Sequence, residues 1–179
     1  ATLAANRWPE KYYLSFNLSP TQLVDQNTVR QILGILDSTG FDPKRLEIEL
    51  TESGLMTDPS SAAHIIEELR AVGIRISLDD FGTGQSSLGR LREFSFDKLK
   101  IDRTFVSTML ADRPSEHIVR AILAMCDGLG VDVVAEGIED EAQAERLIEF
   151  GCIAGQGFLF GHARDAKTTL NLVHEDRER

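Results

Sequence analysis

Short runs of β-prone residues alternate with stretches whose apolar residues recur at helical spacing, and this alternation limits the fold more than any other feature of the chain. The runs lie at 11–17 (KYYLSFN), 45–50 (RLEIEL), 74–80 (IRISLDD), 97–102 (DKLKID), 131–136 (VDVVAE) and, more weakly, 153–158 (IAGQGF). Ser19, followed by Pro20, predicts an N-cap for a helical region reaching Gly40. Asp58-Pro59 opens a helix carrying Ala62, Ile65, Ile66, Leu69 and Val72, with Gly73 as its stop. A shorter helix is expected near 86–93. Ser115 is read as the cap of a helix holding Ile118, Ala121, Ile122 and Met125 and ending at Gly130. Helices over 139–151 and 165–173 complete the pattern before the charged tail HEDRER.

Near-continuous apolar strands between helices predict a parallel sheet covered by those helices. The chain of 179 residues shows no linker and no internal repeat, and it is long enough for one domain with a sizeable core. Its formal charge of −10 argues against a nonspecific nucleic-acid binder, while leaving room for a phosphate ligand bridged by metal ions. No run approaches the ~18 apolar residues of a membrane span, and no signal peptide is evident. Cys126 and Cys152 sit in apolar segments and read as reduced core residues, which suits a cytoplasmic protein. The first residue is Ala, so a piece of a longer protein is expected.

Each predicted strand places polar residues at or just past its C-terminal end. These are Asn17; Glu49 and Glu52; Asp79 and Asp80; Lys100 and Asp102; Glu136 and Glu139; and Gln156. A closed parallel barrel brings such ends to one mouth, whereas an open sheet spreads them along an edge, so the convergence favours the barrel. Two carboxylates about 4 Å apart repel by roughly 4 kcal/mol at an effective dielectric near 20. Glu49, Asp79, Asp80 and Glu136 gathered in one pocket would therefore take up protons or bind cations. Hard oxygen donors with one amide, Asn17, suit Mg2+ or Mn2+, and no Cys/His set for zinc is present. Adjacent Asp79 and Asp80 can serve two ions, an arrangement suited to phosphodiester cleavage, with Lys100 placed to orient the attacking water.

Six motifs now stand in order: NLSP (17–20), ELTES (49–53), LDDFGTG (78–84), LKID (99–102), AEGIE (135–139) and QGF (156–158). Together they resemble the EAL-domain family of cyclic-di-GMP phosphodiesterases, over nearly the whole chain. The resemblance implies an α/β fold, a TIM-like (β/α) barrel. It also implies hydrolysis of cyclic di-GMP to the linear dinucleotide with two Mg2+ or Mn2+ ions, Ca2+ being inhibitory. By the same resemblance Asn17, Glu49 and Asp79 match ligands of one metal, and Asp79, Asp80 and Glu136 those of the other. Lys100 matches the lysine that holds the catalytic water, and Glu52 the glutamate that anchors the glycine-rich loop FGTGQSS. Gln156 matches a residue lining the pocket, where Asp102 and Glu139 are also candidates. A bacterial signalling protein follows, with a homodimer and fusion to sensor or GGDEF-type domains as expected partners, and no nucleic acid or direct membrane contact.

The family's Glu-Ala-Leu segment belongs upstream of Asn17 and is absent from these residues. Residues 1–179 are thus expected to be a single EAL-type domain, N-terminally truncated relative to the family, with about six of the eight strands of a barrel. A metal ligand and a substrate-binding arginine would be missing with the segment. Gln85 replaces an aromatic residue common in the loop, and FGHARD (160–165) lacks the usual proline. The rival readings are a receptor that binds cyclic di-GMP without cutting it and a regulatory partner of a diguanylate cyclase. Outside the motifs, His64 and His117 read as helix-surface residues, Phe94, Phe96 and Phe105 as core, and Trp8 as packing on a helix end.

Overall fold

The structure, a computed structural model, describes residues 1–6, 8–82 and 94–175. Five strands form one sheet: β1 (Leu14–Leu18), β2 (Leu46–Thr51), β3 (Arg75–Phe81), β4 (Lys98–Ile101) and β5 (Asp132–Ala135). All four pairings are parallel and the spatial order equals the chain order, β1-β2-β3-β4-β5. A doubly wound sheet reverses direction at a switch point; this sheet never does, which is the winding of a barrel wall. The described helices are α1 (Thr2–Ala5), α2 (Thr28–Thr39), α3 (Glu52–Thr57), α4 (Pro59–Ala71), α5 (Arg103–Thr108), α6 (Arg113–Leu129), α7 (Glu141–Glu149) and α8 (Ala166–Glu175). The architecture is that of an incomplete TIM-like barrel.

Three local expectations need correction. Ser19 does not cap α2. Its backbone carbonyl accepts from Gln22 N at 3.0 Å, opening a 3-10 turn over Gln22–Val24, and α2 starts only after Asn27. Nor does Ser115 cap its helix: the cap is Asp112, whose carboxylate accepts from Ser115 N at 2.9 Å and Ser115 Oγ at 2.6 Å. The buried stripe of α6 accordingly runs through Val119, Ile122 and Cys126, while Ile118 is exposed. The sixth strand reduces to one isolated bridge, Ala135 to Gly155. Its neighbour turns away at Gly137, whose φ is 69°, and Gly157 lies so close to the Ile138 backbone that a side chain has no room. Beyond Ala135 the segments stay in backbone contact, Ile138 N donating to Gln156 O at 3.1 Å, but not as a ladder, because the chain turns at Gly137. Gly40 and Gly130 do end α2 and α6 in the left-handed conformation, as their positions predict. The helix expected near 86–93 lies outside the described residues. Two short helices, α3 and α5, escaped the sequence pattern because six residues show too little periodicity.

One apolar cluster joins the outer face of the sheet to the helices, with Ile48, Leu50, Ile76, Leu78 and Ile101 almost fully buried. Phe94 is buried in it, Phe96, Phe105 and Trp8 pack against it, and His117 is exposed. Cys126 and Cys152 are free and buried. No described helix is long and apolar enough to cross a membrane.

Candidate active site

The other face of the sheet is polar, because strand alternation puts every second residue there. Glu47 and Glu49 share it on β2, Ser77 and Asp79 on β3, and Lys98 and Lys100 on β4. In register, Asn17 stands beside Glu49, Glu49 beside Ser77, and Thr51 beside Asp79. The candidate acids therefore occupy the C-terminal end of the same face.

Asp79 and Asp80 need a further device, since neighbours on a regular strand point to opposite faces. Between β3 and β4 the register shifts: Leu78 pairs with Leu99, but Phe81 pairs with Ile101. Three steps on β3 thus match two on β4, and the extra residue forms a bulge. Asp80 sits in it at φ 55°, the only non-glycine residue with positive φ among the described residues. Asp tolerates that conformation better than most side chains. The bulge turns Asp80 to the side of Asp79, and ligand oxygens of Asp79, Asp80 and Glu136 lie within 4.8 Å of one another.

Lys100 stands at the centre. Its Nζ lies 2.6 Å from Glu136 Oε1, 3.0 Å from Glu49 Oε2 and 3.1 Å from Asp79 Oδ1, with only 7% of the side chain exposed. Burial alone would pull the ammonium down, but the hydrogen bond and charge of Glu136, with Glu49 and Asp79, outweigh it and hold the group well above the ordinary lysine value. Burial pushes the Glu136 carboxyl up, Lys100 opposes that, and the charges of Asp79 and Glu49 add to it. Burial likewise raises Asp80, reinforced by Asp79 and then by Asp102, to which Asp80 is hydrogen-bonded. Burial opposes the shift of Asp102, but its bonds from Thr104 Oγ1 and Thr104 N draw it down, helped by Asp80. Four carboxylates against one ammonium leave an excess of negative charge, all of it on hard oxygen donors. That donor set fits divalent cations of the Mg2+ or Mn2+ type.

The remaining candidates divide. Glu52 is buried and accepts from Gly82 N at 3.4 Å, which ties it to the first residue after β3. The rest of the FGTGQSS loop lies outside the described residues. Gln156 Nε2 donates to Glu136 Oε1 at 2.5 Å. Asp102 is the N-cap of α5, accepting from Thr104 N at 2.8 Å. Glu139 is exposed; its backbone N donates to Gln143 Oε1 within the capping box of α7 and its side chain is not drawn into the cluster by any described contact.

A second polar layer lies one period below. Lys98 Nζ is 2.6 Å from Glu47 Oε2, Ser15 Oγ donates to Glu47 Oε1 at 3.2 Å, and Arg75 pairs with Asp132 at 2.9 Å. Ser77 sits between these layers, fully buried, with no partner for its Oγ among the described residues. The spacing of Glu47 to Glu49 and Lys98 to Lys100 was visible in the sequence, but without strand register nothing joined the two pairs.

The EAL domain family model matches residues 1–163. The cyclic di-GMP phosphodiesterase RocR of Pseudomonas aeruginosa is 40% identical over 147 residues, covering 82% of this chain and 38% of RocR. MucR of the same organism, a bifunctional diguanylate cyclase/cyclic di-GMP phosphodiesterase, is 40% identical over 160 residues, covering 89% of this chain and 23% of MucR. The structure of the MucR phosphodiesterase in complex with c-di-GMP superposes with a TM-score of 0.89 at 36% identity, covering 94% of this chain and 70% of that one. Klebsiella pneumoniae BlrP1, solved with manganese and cyclic di-GMP, gives a TM-score of 0.82 at 32% identity, covering 88% of this chain and 41% of that one.

Proposed function

The chain belongs to the EAL-domain family, and from that premise we propose that the protein hydrolyses one phosphodiester bond of cyclic di-GMP to give the linear dinucleotide in bacterial second-messenger signalling. The observation that carries this reading is the gathering of Glu49, Asp79 and Glu136 within 3.1 Å of a single ammonium, with Asp80 turned in beside them. Asn17, Glu49, Asp79, Asp80 and Glu136 would hold two Mg2+ or Mn2+ ions, Asp79 serving both, with Ca2+ as a non-productive occupant. Bound there, the ions supply Lewis-acid stabilisation of charge on the phosphate.

The chain's own groups do the positioning. Lys100 donates to the attacking water and orients its oxygen toward phosphorus. The new P–O bond forms as the bond to the leaving ribose oxygen breaks, and the water's proton ends on the departing hydroxyl. Gln156 fixes the Glu136 carboxylate through its 2.5 Å bond. Glu52 holds the backbone at Gly82, and with it the turn after Asp80. Asp102 and Glu139 border the substrate pocket, Asp102 through its link to Asp80. A homodimer in the cytoplasm, joined to a sensor or cyclase domain as the bifunctional MucR suggests, completes the proposal.

One observation favours a receptor instead: Lys100 alone already pairs with three of the acids. A Mn2+ titration of the full-length protein with cyclic di-GMP separates the two. Metal-dependent appearance of the linear dinucleotide, lost in Asp79→Asn and Lys100→Ala, supports the enzyme. Dinucleotide binding without metal and without product supports the receptor.

A further inference from the structure

β3 and β5 are each followed within two residues by a glycine with positive φ, Gly82 at 99° directly after Phe81 and Gly137 at 69° after Glu136. Both glycines meet the same object, the first turn of α5. A Cβ on Gly82 would stand 2.8 Å from Phe105 Cε2 and 3.2 Å from Phe105 Cζ. A Cβ on Gly137 would collide with Arg103 Cβ and stand 3.3 Å from Arg103 Cα. Arg103 and Phe105 are two residues apart and follow β4 directly, and β4 lies between β3 and β5 in the sheet. The turn is held rigid by its cap, Asp102, which is also bonded to Asp80. The tips of β3 and β5 therefore pack on α5 from both sides, Gly82 against the Phe105 ring and Gly137 against Arg103 Cβ and Cα, one tip bearing Asp79 and Asp80 and the other Glu136.

We infer that Arg103 and Phe105 are positioning residues: the first turn of α5 is a wedge whose thickness sets the separation of the Asp79–Asp80 and Glu136 carboxylates, and so the size of cation the site prefers. The inference rests on the divalent-cation reading above. Mg2+ takes oxygen ligands at about 2.0–2.1 Å in near-ideal geometry, whereas Ca2+ takes them at about 2.3–2.6 Å and tolerates irregular cages. A thicker contact parts the tips and favours the larger ion; a thinner one lets them close and favours the smaller.

The test is calorimetric titration of the full-length protein with Mg2+ alone and with Ca2+ alone, for the wild type, Gly137→Ala and Phe105→Leu, beside metal-free melting curves. Gly137→Ala is expected to lower the Mg2+/Ca2+ affinity ratio about fivefold or more, and Phe105→Leu to raise it. A purely structural role would weaken both ions in parallel with the melting temperature. A ratio within about twofold of wild type in the variants overturns the wedge. If Gly137→Ala does not fold, Phe105→Leu decides alone. A wild type that binds neither ion overturns the divalent reading itself, and this inference with it.

Discussion

Asp79 and Asp80 are neighbours on one strand, yet both offer oxygens within 4.8 Å of Glu136, because a bulge holds Asp80 at φ 55°. The conformation and the chemistry at position 80 can be separated. Asn accepts left-handed φ and carries no charge to repel Asp79 and Asp102, so Asp80→Asn should melt at or above the wild-type temperature without metal. It should lose at least about 100-fold in turnover. Asp80→Val should lose about 1–2 kcal/mol of stability as well, because a β-branched residue is strained there. Thermal melts and product assays of the two variants check this.

Removing Lys100 leaves three carboxylates facing one another in a buried site. Lys100→Met should therefore destabilise the metal-free protein by about 3 kcal/mol or more. It should also show a larger melting-temperature rise with Mn2+ than the wild type, since the ion then has no internal competitor. Turnover should stay absent even at saturating Mn2+. A variant that melts like the wild type would show that the three contacts are not made in solution.

The Glu47–Lys98 pair should behave as structure rather than chemistry. Lys98→Met leaves the buried Glu47 carboxylate without its counter-charge and should cost about 3–5 kcal/mol, whereas Glu47→Leu, which leaves the 20% exposed Lys98, should cost less. The double variant should recover most of that loss. A double-mutant cycle in urea measures the coupling.

Burial pushes the Cys126 thiol up to about 11 from an ordinary 9.0. Folding thus favours the protonated form: its contribution to stability is full below pH 9 and is lost as pH rises through about 11. At pH 8 the thiolate fraction should be about 100-fold below that of the unfolded chain, so alkylation should be slow until urea is added. Rapid labelling of the native protein would contradict the burial.

Much of the frame was legible in the chain. Five of the six expected strands formed within a few residues of their predicted bounds, because short β-prone runs set between helical stretches are buried on both faces in a helix-covered parallel sheet, as Leu46–Leu50 are. Gly40, Gly73 and Gly130 marked helix ends because their positive φ suits no other residue as well. The misses were local contests among polar side chains. Ser19 opens a 3-10 turn and not α2, and the cap of α6 is Asp112 and not Ser115, a choice made by the hydrogen bonds Asp112 accepts from Ser115. The sixth strand failed because Gly137 and Gly157 let the chain turn and pack against Ile138 where ladder pairing would otherwise continue.

By itself, then, the sequence determined the order of strands and helices and the polar residues at each strand's C-terminal end, since periodicity and composition are properties of neighbours along a chain. Only the tertiary structure decided which of those residues meet. The bulge that re-aims Asp80 and the reach of Lys100 from β4 to Glu49 on β2 both depend on register between strands. A shift of one residue in pairing reverses which face a side chain occupies, and no local pattern records that choice.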